Sequence, residues 1–157
     1  MKEIELKSQL IECQMDELAP SDRQLVEMAI EATNRSYARY SHFHVGAAVE
    51  LSNGQRIMGC NQENAAFPAG LCAERTAIFA AGAQYPQEAV VTLAIAARGT
   101  DGELTLNPVS PCGTCRQVII ETESRFKHPV RILLYGRNKI YILDGVKQLM
   151  PLSFTEF

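Results

Sequence analysis

Two short stretches hold the residues able to do chemistry. LCAERTAIFAAGA, residues 71–83, crowds Cys72, Glu74 and Arg75 into the first turn of a segment that is otherwise small and apolar. PCGTC, residues 111–115, adds Cys112 and Cys115. Burying a carboxylate and a guanidinium is costly unless they are paired or serve a metal. Three cysteines are one short of the four ligands that close a structural zinc site, so water would take the last position, as in catalytic zinc centres. Glu74, two residues after the first ligand, is the group to manage that water's protons.

The elements around these residues must supply the electrostatics. Three thiolates carry more charge than a dication cancels, which resists forming bound hydroxide. Both motifs fall at predicted helix starts, where the helix dipole and free backbone N–H groups withdraw negative charge from sulfur. Arg75 and Arg116 each directly follow a motif and are expected to donate to the thiolates. A structural zinc completed by His42 or His44 is the competing reading, but it leaves Glu74 without a task. A redox Cys-x-x-Cys lacks the thioredoxin-like context it would need. Cys13 and Cys60 fit no motif and read as ordinary thiols.

Periodicity places the remaining elements. Residues 1–19 form an N-terminal extension, part helical and part strand-like. A helix opens at Pro20 and Ser21, with Ser21 and Gln24 at capping-box spacing and Leu25, Met28, Ala29 and Ala32 at helical period. Extended segments at 43–51 and 55–61 flank Asn53-Gly54, a strong hairpin signal. The helix over 71–82 is expected to stop at Gly82. A buried strand follows at 90–98, then a helix over 111–123 with Pro111 near its first position. Strands at 131–135 and 139–143 are separated by three residues, too few for a parallel crossover, so they must be antiparallel if adjacent. A short helix at 145–150 closes the pattern. The prediction is an α/β fold: a three-layer α-β-α sandwich with a mixed five-stranded sheet, one domain over 1–157.

Composition narrows the function. The chain has 157 residues and a net charge of −3, and its 15 Lys and Arg are scattered, so no basic track for nucleic acid is visible. No run approaches the apolar length of a membrane span, no secretory signal is readable, and an odd cysteine count suits a reducing cytosol. A cytoplasmic protein without nucleic-acid or membrane partners is expected.

A Cys-x-Glu followed by Pro-Cys-x-x-Cys is the pattern of zinc deaminases. With YSHFHVGAAV (40–49), GCNQENAAF (59–67), CAERTAIFAAG (72–82) and SPCGTCRQVI (110–119) in this order, the chain resembles the small, homotetrameric cytidine deaminases from about residue 21 to 154. The resemblance implies one Zn²⁺ per subunit on Cys72, Cys112 and Cys115, with Glu74 as proton shuttle in hydrolysis of cytidine or 2′-deoxycytidine to the uridine and ammonia. It implies that Asn61 and Glu63 hold the ribose 3′-hydroxyl, that Phe43 packs on the pyrimidine, and that the Ala73 N–H and Glu74 read the base edge. Arg75 would hydrogen-bond the thiolates and Gln117 would lie behind them. LMPLSF (149–154) resembles the family's tail, whose aromatic, here Phe154, reaches a neighbouring subunit's site. Phe67 stands where a tyrosine is common, and PAG (68–70) is an unusual approach to Cys72. Deamination of a related aminopyrimidine nucleoside or antibiotic is the alternative activity. Deaminases acting on RNA or DNA place a helix between the last two strands, which the link at 136–138 has no room for.

Overall fold

The computed structural model describes residues 1–155. Its strands are β1 (Ile11–Cys13), β2 (His44–Leu51), β3 (Arg56–Cys60), β4 (Val90–Arg98), β5 (Arg131–Tyr135) and β6 (Ile140–Asp144). Three α-helices, α1 (Pro20–Thr33), α2 (Ala73–Gln84) and α3 (Gly113–Phe126), complete the regular structure with short 3-10 turns. The strands form one mixed sheet in the order β1-β6-β5-β4-β2-β3. Only β4 and β5 run parallel, joined by a crossover through α3, whereas β5 and β6 are antiparallel as their short link requires.

Alternation along the strands divides the core into two faces. Ala48, Ala94, Ala96 and Leu133 face α1, which buries Leu25, Val26 and Ala29 against them. Ala47, Val49, Leu93, Ile95, Ile132 and Leu134 face the other way, toward Ala77, Ile78 and Ala81 of α2 and Ile119 and Ile120 of α3. Two glycines set how closely helices approach the sheet. A Cβ on Gly46 would lie 2.1 Å from the Ala29 carbonyl oxygen, and one on Gly59 would lie 2.3 Å from the Ala77 nitrogen. Backbone therefore rests on backbone, and α2 is seated by β3 before any side chain contributes.

Several local expectations are corrected. The sheet has six strands, not five, because the extension contributes β1, which pairs Ile11 with Ile142 and Cys13 with Ile140. Its three residues are too few to show a period of two. Lys139 meets Glu12 at 3.2 Å across this edge, and Gln14 Nε2 donates to the Asn138 carbonyl. Ser21 does not cap α1: Pro20 takes the first helical position after Ala19, and the Ser21 hydroxyl instead accepts from Arg56 Nη2 at 2.6 Å. Gly82 does not stop α2, which continues to Gln84. The helix ends at Tyr85 because the following Pro86 disfavours α backbone there. Helix α3 starts at Gly113 rather than 111, and the expected helix at 145–150 is a 3-10 turn at Val146–Gln148.

Candidate metal centre and adjoining cleft

The two cysteine motifs are brought together by equivalent local devices. Cys72 is the extended residue that caps α2, and Cys112 occupies the same position before α3. Cys115 follows in the first turn of α3 and is wholly buried. The sulfurs of Cys72, Cys112 and Cys115 all lie within 4.8 Å of one another, and among the described residues no His, Asp or Glu joins them. Cys72 Sγ and Cys112 Sγ are 3.8 Å apart. A tetrahedron with zinc–sulfur bonds of about 2.3 Å requires sulfurs about 3.8 Å apart, so the donor set fits a zinc ion. His42 and His44 lie outside the cluster; His44 Nδ1 pairs with the Ser36 hydroxyl at 2.6 Å.

The surroundings favour thiolate. A hydrogen bond from Cys115 is the main reason the Cys72 thiol is drawn down to about 5, and Arg75 adds to it against the effect of burial. Arg75 Nη2 lies 3.6 Å from Cys72 Sγ and 3.5 Å from the Gly70 carbonyl oxygen. The Cys115 thiol is pushed up, first by sharing its proton with Cys72 and then by burial. A divalent cation reverses that last effect, since a coordinating thiol is deprotonated outright. Arg116 departs from its expected role. Its Nε donates to the Pro111 carbonyl at 2.9 Å and its Nη1 to the Leu149 carbonyl at 2.6 Å, so it braces the start of α3 against the C-terminal turn.

Glu74 is only 4% exposed, on the second residue of α2. Burial pushes its carboxyl above the usual range; a hydrogen bond from its own backbone N–H works against this, and the Cys72 charge adds to it. A buried carboxyl whose proton affinity is raised in this way is better suited to take up a proton than an exposed one.

A cleft of about 880 Å³ opens in front of this centre, and its wall includes Cys72, Cys112, Glu74, Arg75, Asn61, Glu63, Ile95 and Val45. Asn61 Nδ2 donates to the Phe43 carbonyl at 2.9 Å, while its Oδ1 accepts from the Val45 N–H at 2.8 Å. Glu63 Oε2 accepts from the Tyr40 N–H at 2.7 Å and the Ser41 N–H at 3.3 Å, and Oε1 accepts from the Ser41 hydroxyl. These bonds, with the Ser41 hydroxyl foremost, hold the Glu63 carboxyl below its usual range. Gln62 and Leu71 exchange backbone hydrogen bonds of 2.9 and 3.0 Å, tying the Asn61–Glu63 arm to the residue before Cys72.

Three of the sequence-derived contact residues are not on the cleft wall of this single chain. Phe43 is half-buried beside it, Ala73 is wholly buried at the start of α2, and Phe154 is 64% exposed on the C-terminal tail. Gln117 Nε2 donates to the Phe154 carbonyl at 3.1 Å. Tyr40 and Ser41 also line the cleft, and the sequence reading gave neither a role. Their signal was membership of the YSHFHVGAAV stretch, while their tie to Glu63 spans more than twenty residues and leaves no local pattern.

A fold that brings three cysteines together at two helix starts, beside a buried glutamate, defines a zinc-dependent deaminase centre. The family model for the cytidine and deoxycytidylate deaminase zinc-binding region matches residues 19–128, and the chain belongs to that family. It is similar to a cytidine deaminase of Halalkalibacterium halodurans, 45% identical over 143 residues that cover 85% of this chain and 95% of that one. A blasticidin-S deaminase of Bacillus cereus is 28% identical over 139 residues, covering 88% and 95%. Among solved structures, a cytidine deaminase from Burkholderia pseudomallei superimposes with a TM-score of 0.70 at 35% identity, covering 83% of this chain and 97% of that one. One from Mycobacterium tuberculosis gives 0.64 at 28%, covering 83% and 94%.

Proposed function

We propose that the protein hydrolyses free cytidine and 2′-deoxycytidine to the corresponding uridine and ammonia, as one step of pyrimidine reuse. The observation that carries this reading is the three-sulfur cluster with buried Glu74 on the same cleft wall as Asn61 and Glu63. Cys72, Cys112 and Cys115 would hold the zinc, which when bound makes a coordinated water acidic enough to serve as nucleophile near neutral pH.

The chain's own groups do the rest. Glu74 takes the water's proton and gives it to N3 of the ring, which makes C4 electrophilic. Once the water oxygen has bonded to C4, Glu74 passes that oxygen's remaining proton to the exocyclic amine, and the C4–N bond breaks to release ammonia. One carboxyl can serve in both directions because burial raises its proton affinity. Asn61 and Glu63 accept or donate to the ribose 3′-hydroxyl and fix the ring's distance from the metal. The resemblance, rather than the cleft lining, supports the Ala73 N–H reading the base edge and Phe43 packing near the pyrimidine. Arg75 shares the thiolate charge, and Gln117 acts at one remove by anchoring the tail.

The resemblance also supports a homotetramer in which Phe154 reaches a neighbouring copy's cleft. The half-exposed Phe79 on α2, beside a groove that α2 forms with Val118 and Phe126 of α3, supports such packing. Light scattering on the purified chain reads the subunit number.

The test of function is incubation of the purified zinc-loaded protein with cytidine, 2′-deoxycytidine and blasticidin S in parallel, following ammonia and ultraviolet absorbance. Equimolar uridine and ammonia from the nucleosides is the expected result. Zinc-loaded protein that releases ammonia from neither nucleoside would sink the reading.

A further inference from the structure

The loop at 40–43 is fastened to the Asn61–Glu63 arm through one hydroxyl. Ser41 Oγ donates to Glu63 Oε1 and at the same time accepts from the Phe43 N–H at 3.1 Å. Between them, His42 adopts a left-handed backbone with φ 55°, a conformation that histidine tolerates better than most side chains. The His42 N–H closes the turn on the Ala38 carbonyl at 2.9 Å. Tyr37 completes the seam: its N–H donates to the Asn61 carbonyl at 3.0 Å, and its carbonyl accepts from the Glu63 N–H at 2.9 Å.

The acceptor arithmetic of Glu63 gives this seam a consequence for ligand selection. An ionised carboxylate offers about four lone-pair positions. Oε2 takes two backbone N–H groups and Oε1 takes the Ser41 hydroxyl, which leaves one position, on Oε1. The carboxylate on the cleft wall is thereby oriented and rationed: it can accept from one further hydroxyl, from one direction.

We propose that Ser41 is a positioning residue that sets selectivity for a sugar 3′-hydroxyl, by holding Glu63 so that a single acceptor position of Oε1 faces the cleft. This rests on the reading of Glu63 as a sugar contact and adds the group that aims it. The same hydroxyl fixes Phe43 through its N–H, so sugar recognition and the placement of that ring are coupled. Loss of the hydroxyl leaves Oε1 free to turn toward solvent and the left-handed turn at His42 with one restraint fewer.

The test compares 2′-deoxycytidine with 2′,3′-dideoxycytidine, which lacks only the hydroxyl that Glu63 would hold. Ser41→Ala is expected to lower the ratio of kcat/KM for the two substrates by roughly tenfold, the size of one lost charge-assisted hydrogen bond. The loss falls on KM for 2′-deoxycytidine, with kcat and zinc content near those of the parent. Ser41→Thr, which keeps a hydroxyl, restores the ratio, and adding Ser41→Ala to Glu63→Ala changes it no further. An equal loss on both substrates, which is also what a poorly folded variant gives, overturns the assignment. So does an unchanged ratio, or a Ser41→Ala effect that persists in the Glu63→Ala background. A parent protein inactive on both nucleosides would instead defeat the functional reading beneath it.

Discussion

The two ends of the cleft are built by different means. At the metal end, the groups sit on two helix starts, that of α2 seated against β3 by Gly59, and Ala73, Glu74 and Cys115 are almost wholly removed from solvent. At the end proposed to hold the sugar, Asn61 and Glu63 leave the sheet on an irregular arm held by hydrogen bonds to a loop that is partly exposed. The first end gains precision from packing, which fixes backbone positions to a fraction of an ångström. The second gains it from directional bonds whose individual net worth is about 1 kcal/mol. On the proposed function, chemistry falls to the rigid end and selection to the adaptable one. The Gln62–Leu71 backbone pair is where the two are joined.

Changes that break the metal end should be absolute, whereas those at the sugar end should be graded. Cys115→Ala removes the buried sulfur and is expected to leave protein without zinc and without measurable turnover; metal analysis of the purified variant checks this. Retained stoichiometric zinc would erase the contrast. Glu74→Gln preserves shape but cannot carry a proton, so kcat should fall by about 10²–10⁴-fold with zinc retained. Steady-state kinetics alongside metal content separates this loss from the previous one.

Gly59→Ala tests the seating of the metal end without touching any ligand. A Cβ 2.3 Å from the Ala77 nitrogen forces α2 off β3, and overpacking of this kind costs about 1–3 kcal/mol or more. Denaturant unfolding should show the loss, together with weaker zinc retention as the α2 and α3 starts drift apart. Glu63→Gln gives the smallest effect. It removes the charge but keeps the shape, so KM for cytidine should rise about tenfold while kcat changes little. If kcat fell instead, the division of labour between the two ends would be wrong.

The cysteine cluster was readable from the sequence because its spacing is local. Cys72 and Glu74 are two residues apart, Cys112 and Cys115 three, and helix starts follow from the apolar periods that succeed them. The antiparallel final pair was equally secure, because so short a link between neighbouring strands allows nothing else. Elements whose cause lies elsewhere in space were misread. Arg116 looks like Arg75 in sequence, yet it is captured by the Leu149 carbonyl, 33 residues away. The Ser21 hydroxyl, at capping spacing, is engaged by Arg56 from β3.

The sequence by itself determined that three thiols would meet as a metal-binding set with a carboxylate close by, since cysteines in that spacing suit few tasks other than holding a metal. It also determined the layering of helices on a mixed sheet, through periodicity and loop length. The tertiary structure alone decided that the N-terminal extension adds a sixth strand along β6, and that Ser41 and Glu63 meet. Both depend on contacts between segments far apart in the chain, which no local pattern encodes and which form only once the sheet has set their spacing.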